Sequence, residues 1–446
     1  MKNPKKISRN AGAAALLAVL FLPLLIAPSP VRGQQSAAVD SSAQPIVIGL
    51  DADMSKGAAK SGEAIRRGLL LAMEEINAAG GVLGRPLALS VRDHRGTPAR
   101  GRDNMEAFAA ERNLVAVVGG IHTPVALAQL EAIHRHRLIY LGPWAAGTGV
   151  VDNGYAPNYV FRVSVRDEYA GGFLIDAARE RGFHRVGFLL WRTAWGRSNE
   201  KAMRDALSRK GAQPAAVAWF NTNQKNMRRE IDALVAAGAE AIMLVSNPVD
   251  GIVAVREMAS RPAEERVPII SHWGITGGDF FTAVRDALPK VDLTFLQTFS
   301  FFDPPFSAEA ERVYGAYCLR FGGCRSPADV ISPVGTAHAY DLVHLLKRGI
   351  ERAGSIDRPA VRRSLERLDR HRGLVRVYDP PFTPERHDAL DAGDFRLSRF
   401  DENGAIRPLD TASGEAPDGP QDQSQGQTQG QTQGQTQGQT QGKTQD

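Results

Sequence analysis

From residue 45 onward the chain alternates short apolar runs with amphipathic segments, and this pattern leaves few folds open. The run 45-PIVIGL-50 is apolar and contains β-branched residues, and the following segment, 62-GEAIRRGLLLAMEEINAAGG-81, carries its apolar residues on one helical face. The same signals recur in strand-like runs at 86–93, 115–120, 138–143, 185–191, 217–220, 241–246 and 268–273, and in helix-like segments at 98–112, 124–136, 197–210, 226–237 and 249–260. Continuous apolar strands separated by amphipathic helices predict parallel sheets covered on both faces.

The alternation falls into two series, which predicts an α/β fold of two doubly wound parallel-sheet lobes. The strand-like run 159-YVFRVS-164 lies between the series, and 293-LTFLQTF-299 follows the second one. We expect the chain to cross between the lobes at these two runs. Helical stretches at 308–321 and 335–353 come next, followed by 374-LVRVYD-379 and a polar alternating stretch at 395–406.

The two ends of the chain differ in composition from the rest. Residues 1–33 start with basic side chains, continue in an apolar run from Ala11 to Ala27 and end with small residues. This predicts a cleaved secretory signal peptide, with an uncleaved membrane anchor as the alternative. Residues 411–446 form a tail rich in Gln, Gly and Thr, which repeats Q-T-Q-G and has few apolar groups to bury, so we expect it to be disordered.

The formal net charge of +5 comes from the predicted signal peptide. Residues 1–33 hold five basic side chains and no acidic one, and without them 49 basic side chains balance 49 acidic ones. A chain without net charge has no overall field that would draw it to nucleic acid or anionic lipid. We therefore expect no nucleic-acid partner.

The sequence contains two cysteines, Cys318 and Cys324. Export would take them to an oxidising compartment, where a local disulfide is expected. Two soft ligands without a nearby histidine make a poor zinc site. Neither a metal nor another cofactor is predicted.

In open parallel sheets ligands bind beyond the carboxyl ends of the strands, so the residues after each strand-like run are candidates for a binding site. These residues are Asp51, Asp53 and Ser61, then His122 and Thr123, then Trp144, then Trp191 and Trp195, then Asn247 and Asp250, and finally His272 and Trp273. Four of the five tryptophans lie at such positions, which favours a pocket over separate packing roles. Thr123-Pro124 predicts a helix start that could hold a carboxylate, although a helix start without a ligand explains it equally well.

Catalytic interpretations have little support in these residues. The loop 141-LGPWAAGTG-149 has two glycines at the spacing of a phosphate loop, but it lacks the lysine that would reach the phosphates. No G-x-S-x-G or H-E-x-x-H motif is present. We expect no catalytic residue and no enzymatic activity, and an exported hydrolase is the least favoured alternative.

Several segments resemble the leucine/isoleucine/valine-binding protein family, the solute receptors of branched-chain amino acid ABC importers. These segments are IVIGL…MSKGAAKSGEAIRRGLLLAMEEINAAGGVLGRPLALSVRD, VVGG…TPVALA, LGPWAAGTG, NYVFRVS and TAHAYDLVHLL, and the resemblance runs from about residue 45 to 410. It implies a type I periplasmic binding fold, in which two lobes joined by a hinge of three crossings clamp a ligand in a cleft. The implied N-terminal lobe comprises residues 45–163 and 299–373, and the C-terminal lobe comprises residues 164–298 and 374–410. The implied hinges lie near 162–165, 296–300 and 374–379.

The same resemblance suggests a set of ligand-binding residues: Ser61, His122, Thr123, Trp144, Ala146, Trp195, Asn247, His272 and Trp273. In this assignment the loop ending at Ser61 covers the ligand, Thr123 holds its carboxylate, and Trp195 closes over it from the second lobe. His272 or Trp273 occupies the position where the family commonly has an acid for the ligand ammonium. From the sequence, Asp51, Asp53 and Asp250 are the available replacements. The missing acid and the tryptophans favour a flat, aromatic or cationic ligand.

The sequence thus predicts an extracytoplasmic solute-binding protein. It would capture a small polar or aromatic ligand, such as an amino acid, an amide or a related compound, by hinge closure in the periplasm. As a monomer it would deliver the ligand to an ABC permease. A ligand-sensing receptor of the same fold, which feeds a signalling system, is the alternative.

Overall fold

A computed structural model describes residues 44–302 and 307–409 of the chain. The predicted signal peptide (residues 1–33) and the predicted tail (residues 411–446) lie outside the described residues. Within the described part, none of the helices combines the length and the apolar character that crossing a membrane requires.

Strands and helices alternate along most of the described chain. The strands are β1 (Ile46–Ala52), β2 (Leu87–Asp93), β3 (Leu114–Val118), β4 (Ile139–Gly142), β5 (Val160–Arg162), β6 (Val186–Trp191), β7 (Val217–Phe220), β8 (Ala241–Val245), β9 (Ile269–Ser271), β10 (Leu293–Gln297), β11 (His371–Arg372), β12 (Val377–Tyr378), β13 (Arg396–Phe400) and β14 (Ile406–Pro408). The helices are α1 (Ala59–Ala78), α2 (Pro98–Ala109), α3 (Thr123–Arg135), α4 (Thr148–Val151), α5 (Asp167–Glu180), α6 (Ala194–Ser208), α7 (Arg228–Ala236), α8 (Pro248–Ser260), α9 (Phe280–Val284), α10 (Ala308–Phe321), α11 (Pro333–Ala353) and α12 (Arg358–Leu365).

The described strands form two main sheets, which confirms the predicted two-lobed α/β architecture. The first sheet is entirely parallel and has the order β2-β1-β3-β4-β5. The second has the order β14-β13-β10-β9-β8-β6-β7, parallel except at the edge formed by β13 and β14. Strands β3, β4, β6, β8 and β10 are buried along their whole length, because helices cover them, and this explains their continuous apolar sequences. We call each sheet with its helices a lobe.

Helix α5, which follows the first crossing, was missed in the sequence analysis. Its two interior glycines, Gly171 and Gly172, weaken the helix signal. In the structure α5 packs against α6, and a Cβ added at Gly171 would lie 2.5 Å from Ala202 Cβ. Gly171 therefore allows the close approach of two helices, a tertiary role that helix propensity does not reveal.

The third crossing lies later in the chain than predicted. The hairpin β11–β12 stays with the first lobe, because Leu374 N–H and the Tyr378 hydroxyl both donate to the Asp341 carboxylate on α11, at 2.6 and 2.7 Å. His387 also donates to the β5 carbonyl of Val160 at 2.8 Å. The chain joins the second sheet only at β13, so the predicted boundary and hinge at residue 374 are wrong.

Cys318 and Cys324 form a disulfide, as predicted from the sequence. The bond closes a short loop at the end of α10. Such a small loop contributes little stabilisation through chain entropy. Its role is therefore local.

Candidate functional site

Five aromatic side chains from the two lobes form a continuous set of ring contacts, which we call the aromatic cluster: Trp144, Trp195, His272, Trp273 and His338. The ring centroids are 5.1 Å apart for Trp195 and His272, 6.2 Å for His272 and Trp273, 5.9 Å for Trp273 and Trp144, and 5.6 Å for Trp273 and His338. All five side chains are buried. The cluster forms where parallel strands β4, β6 and β9 end, since each of these strands is followed by one of the tryptophans.

Trp144 contributes to the cluster from the loop after β4. Its carbonyl accepts a hydrogen bond from Ser164 Oγ at 2.9 Å, which fixes the loop against the first crossing. Its ring lies on the start of α11, where a Cβ added at Gly335 would be 2.6 Å from Trp144 Cζ3. Among the described residues the indole Nε1 has no hydrogen-bond acceptor. Packing and the backbone hydrogen bond thus hold Trp144 in place, and its indole N–H is a buried donor without a partner among the described residues.

His338 belongs to the cluster but was not predicted as a site residue. Its Nδ1 lies 2.8 Å from the Pro143 carbonyl, which can only accept, so Nδ1 carries the proton, and Nε2 accepts from Thr298 Oγ1 at 2.9 Å. Burial lowers the pKa of His338 to about 4 and keeps the ring neutral. The residue ties α11 to the β4 loop and to the second crossing. Its sequence position inside a long helix gave no signal for this role.

An acid lies beside the cluster, although it is none of the three expected from the sequence. Asp167, the first residue of α5, is wholly buried, and its Oδ1 accepts a hydrogen bond from Trp195 Nε1 at 3.1 Å. His272 Nε2 is 3.2 Å from the same oxygen. The other oxygen, Oδ2, has no hydrogen-bond partner in the described part of the chain. Sequence reasoning missed Asp167 because the helix that it starts was itself missed.

The three predicted acids have other partners. Asp51 accepts hydrogen bonds from the Asn104 and Gln129 side chains. Asp53 accepts from the backbone N–H groups of Lys56 and Ala58 at 2.8 and 3.0 Å and shapes the loop before α1. Burial raises the pKa of Asp250 to about 6, against the opposing effect of backbone hydrogen bonds from Asn223 and Gln224. These contacts give all three acids structural roles outside the cluster.

Asp51→Asn is expected to flatten the dependence of stability on pH. Burial raises the pKa of Asp51 to about 7, so its contribution to folding is complete below the unfolded-chain pKa of about 4 and is lost as pH rises through 7. The loss is at most about 1.4 kcal/mol per pH unit in that window. Gln129 can accommodate the new amide by rotation, because its Oε1 has no partner among the described residues.

Urea unfolding at pH 5 and pH 8 measures this effect. The free energy of unfolding of Asp51→Asn should rise relative to that of the parent protein between the two values. Exposed Asp103→Asn on α2 is the matched control and should show no such change. A difference between Asp51→Asn and the parent that is equal at both pH values would contradict the prediction.

Three of the remaining predicted site residues, Ser61, Thr123 and Ala146, form hydrogen bonds between separate elements of the fold. Ser61 lies in the first turn of α1 instead of on a loop, and its Oγ donates to the carbonyl of Gly277 in the second lobe. Thr123 is the first residue of α3 instead of its cap, and its Oγ1 accepts from Gly147 N–H at 3.1 Å. The carbonyl of Ala146 accepts from Asp167 N–H at 2.9 Å. These bonds join the two lobes and the loop after β4.

Asn247 is brought next to the cluster, whereas the ring of His122 packs elsewhere. A Cβ added at Gly274, which follows Trp273, would lie 2.6 Å from Trp195 Cη2 and 2.8 Å from Asn247 Oδ1. His122 packs edge-on against His94, with ring centroids 5.6 Å apart. Burial lowers the pKa of both rings, that of His94 to about 3. His122 therefore belongs to a separate pair at the end of β2, contrary to the sequence assignment.

A cavity of about 370 Å³ opens between the lobes, and no member of the aromatic cluster lines it. Residues of both lobes line it, including Lys60 and Ser332 from the first and Thr276, Gly278 and Phe280 from the second. None of the nine predicted site residues lines it. Within residues 44–302 and 307–409, no group of three or more His, Cys, Asp or Glu side chains is arranged to hold a metal ion.

Comparison with known proteins shows which family and which solved structures this chain is similar to. A family model described as periplasmic binding protein matches residues 45–404. A Leu/Ile/Val-binding protein homologue from Brucella melitensis is 24% identical over 70% of this chain and 80% of its own length. A type 1 periplasmic binding protein from Bordetella pertussis superposes with a TM-score of 0.75 at 22% identity, covering 82% of this chain and all of that one. An ABC transporter solute-binding protein from R. palustris, solved with benzoate, superposes with a TM-score of 0.68 at 16% identity, covering 82% of this chain and 96% of that one.

Proposed function

The chain belongs to the periplasmic binding protein family with a type I fold, and on that premise we propose that it is an extracytoplasmic solute-binding protein. It captures a small polar or aromatic ligand between its lobes and delivers that ligand to an ABC permease. The name of the Brucella relative points to branched-chain amino acids and the R. palustris neighbour was solved with benzoate, so both chemical classes belong in a ligand screen.

The observation that carries the proposal is the buried aromatic cluster between the lobes, which has unsatisfied polar atoms in it and beside it. Trp144 Nε1, Asp167 Oδ2 and Asn199 Oδ1 are buried and lack partners among the described residues. Burying a polar group without a hydrogen bond is costly, and a bound ligand could supply the missing partners. The groups come from both lobes, so a ligand that contacts them all would bind the closed form best.

The contacts between the lobes in this structure support lobe closure as the means of capture. Ser61 on α1 donates to Gly277, and Lys60 pairs with Asp279 in the same loop of the second lobe. A ligand that touches both lobes would shift the population toward this closed arrangement. The permease would then recognise the closed surface.

Differential scanning fluorimetry tests the proposal by measuring the thermal stability of the purified secreted protein with each member of a ligand panel. The panel should contain branched-chain and aromatic amino acids, amides, aromatic carboxylates and quaternary amines. A ligand at a hundred times its dissociation constant would stabilise the protein by about 2.7 kcal/mol, which is readily measured. Absence of any response, together with no retained ligand after denaturation and mass spectrometry, would contradict a binding function.

Delivery to a permease needs its own measurement. We expect deletion of the gene in the source organism to abolish uptake of the labelled ligand found in the panel. Unchanged uptake, with loss of a transcriptional response to that ligand, would instead favour a sensory receptor.

Gly277→Ala is expected to impair closure while leaving each lobe folded. A Cβ at this position would lie 2.5 Å from Ser61 Oγ and 2.9 Å from Ile121 Cδ1, both in the first lobe. The backbone φ of −84° suits alanine, so the second lobe itself should tolerate the change. Overpacking of this kind costs about 1–3 kcal/mol, which corresponds to roughly 5- to 150-fold in affinity.

Titration calorimetry measures the affinity for the identified ligand, and small-angle scattering measures how fully the lobes close. Gly149→Ala is the control, because its Cβ would meet only Leu127 Cδ2 at an ordinary 3.6 Å. If Gly277→Ala bound the ligand as tightly as the parent and closed as fully, the closed contacts described above would not be those of the ligand-bound form.

A further inference from the structure

We propose that the protein forms a two-fold symmetric dimer through the free edge of β2 in the first lobe. Two copies of β2 pair antiparallel in this dimer, and their two five-stranded sheets become one continuous sheet. The inference goes beyond solute binding and does not depend on it. It replaces the monomer expected from the sequence.

Strand β2 is the longest edge strand of the two main sheets. It has seven residues, against three in β5, four in β7 and three in β14. The edge of β5 is covered by the returning chain, since Arg162 N–H donates to the His387 carbonyl at 2.8 Å. In the described part of the chain, β1 is the one strand that pairs with β2. An uncovered edge of this length is a template for pairing with another strand.

The backbone groups on the free side of β2 belong to its odd-numbered residues. Before the strand, the Pro86 carbonyl accepts from Ile46 N–H of β1 at 2.9 Å. After the strand, His94 N–H donates to the Ala52 carbonyl of β1 at 3.1 Å. The even-numbered positions therefore face β1, and the odd-numbered positions between them face outward.

One side chain covers the start of this edge and leaves its middle open. Asn77 Oδ1 accepts from Leu87 N–H at 2.7 Å, and Asn77 Nδ2 donates to the Leu87 carbonyl at 3.0 Å. The outward N–H and C=O groups of Leu89 and Val91 have no partner within residues 44–302 and 307–409. Edge strands are commonly blocked by lysine, proline or a bulge, and residues 87–91 contain none of these.

The open groups are self-complementary about Ser90. When Ser90 of each copy lies at the two-fold axis, Leu89 of one copy is opposite Val91 of the other. Each such pair exchanges two backbone hydrogen bonds, so the two pairs use every open group of both residues. A register shifted by two residues would either need the occupied groups of Leu87 or set Leu89 opposite the charged Asp93.

The side chains of β2 also fit this pairing. Val91 is 44% exposed, and in the dimer it packs beside Leu89 of the second copy. On the other face of the strand, Ser90 Oγ donates to Glu111 Oε2 at 3.0 Å. Arg92 lies on that face too, and its Nε has no acceptor among the described residues. The two-fold axis brings Arg92 of one copy toward Glu111 of the other, so opposite charges meet.

Sedimentation velocity of the secreted protein and its variants tests whether β2 joins two copies. We expect dimers in the parent protein. Val91→Pro should fold, because an edge strand accepts proline where the N–H faces outward. It removes two of the four hydrogen bonds and should weaken dimerisation roughly tenfold or more. Val91→Lys is the second variant and sets a charge against Leu89 of the other copy. Leu319→Lys, at an apolar residue exposed on α10, is the control and should leave the dimer intact.

Cysteine pairing tests the register. Ser90→Cys sets two thiols opposite each other at a non-hydrogen-bonded pair, where the Cα atoms are about 4.5 Å apart and a disulfide fits. The two native cysteines are bonded to each other and do not compete. Ala88→Cys is the matched control, because its thiols would lie roughly 13 Å apart along the strands. We expect covalent dimers of Ser90→Cys under mild oxidation, formed much faster than those of Ala88→Cys.

The other outcomes decide the inference without touching the proposed function. A monomeric parent, with Ser90→Cys linking no faster than Ala88→Cys, would overturn it. Selective linking of Ser90→Cys supports the pairing even where the parent dimer is too weak to sediment. Dimers that persist in both Val91 variants, or that Leu319→Lys abolishes, would place the contact on another surface and would overturn it as well. Thermal shifts with the ligand panel report solute binding separately.

Discussion

Arg162→Met is expected to lower the free energy of unfolding by about 3–5 kcal/mol, because it leaves the charge of a buried partner largely uncompensated. Arg162 has no exposed side-chain surface, and its partner Asp388 has only 3%. The guanidinium also donates to the carbonyls of Ala145 and Gly147, at 3.1 and 3.0 Å. After the substitution, Arg166, 3.4 Å from the other oxygen, is the one cation among the described residues that still pairs with Asp388.

The position of Arg162 explains why a single side chain has such a large effect. Its backbone N–H donates to the His387 carbonyl and its carbonyl accepts from Ala389 N–H, both at 2.8 Å. The end of β5 is therefore bound both to the returning chain of the third crossing and to the loop that carries Trp144. Loss of the guanidinium should also loosen that loop and weaken ligand binding.

Urea unfolding, monitored by circular dichroism, measures the loss of unfolding free energy. Arg204→Met is the control, since Arg204 forms a half-buried pair with Glu200 one turn earlier on α6, which should contribute about 1 kcal/mol or less. The double variant Arg162→Met/Asp388→Leu should recover most of the loss, because an apolar pair of similar volume can replace a buried ion pair. A destabilisation by Arg162→Met no larger than that of Arg204→Met would refute this account of the hinge.

Trp144→Ala should cost about 3–5 kcal/mol of stability and also weaken ligand binding. Its ring is 1% exposed, lies against Gly335 of α11 and contacts Trp273 of the second lobe. Removal leaves a cavity and takes away a ring contact between the two lobes. The effect on affinity should be at least tenfold for the ligand found in the panel, which corresponds to about 1.4 kcal/mol.

Two further variants separate a role of Trp144 in ligand binding from the general effect of losing a tryptophan. Trp144→Phe keeps most of the packing and should fold well, yet bind more weakly, because its ring is smaller and has no N–H. Trp219→Ala, half-buried in β7 and outside the cluster, should leave affinity unchanged. Calorimetry at a temperature where all variants are folded gives the comparison. Parent-like affinity in Trp144→Ala would exclude a role in the ligand site.

Much of the site could be predicted because the fold is parallel. The carboxyl ends of parallel strands meet at one edge, so residues that follow β4, β6 and β9 were expected to be neighbours, and Trp144, Trp195 and Trp273 are. Asp167 and His338 could not be found in this way. One begins a helix whose glycines conceal it, and the other lies in the middle of a long helix.

The order and type of most elements, and hence the two-lobed fold, were determined by the sequence alone. Hydrophobic periodicity is local, and strands buried on both faces are apolar regardless of what packs on them. The tertiary structure decided which acid lies beside the aromatic cluster, where the third crossing lies, and that Ser61 meets Gly277 across the lobes. These features depend on contacts between residues far apart in the chain, such as Asp167 with His272 or Arg162 with Asp388, and no local pattern specifies such pairs.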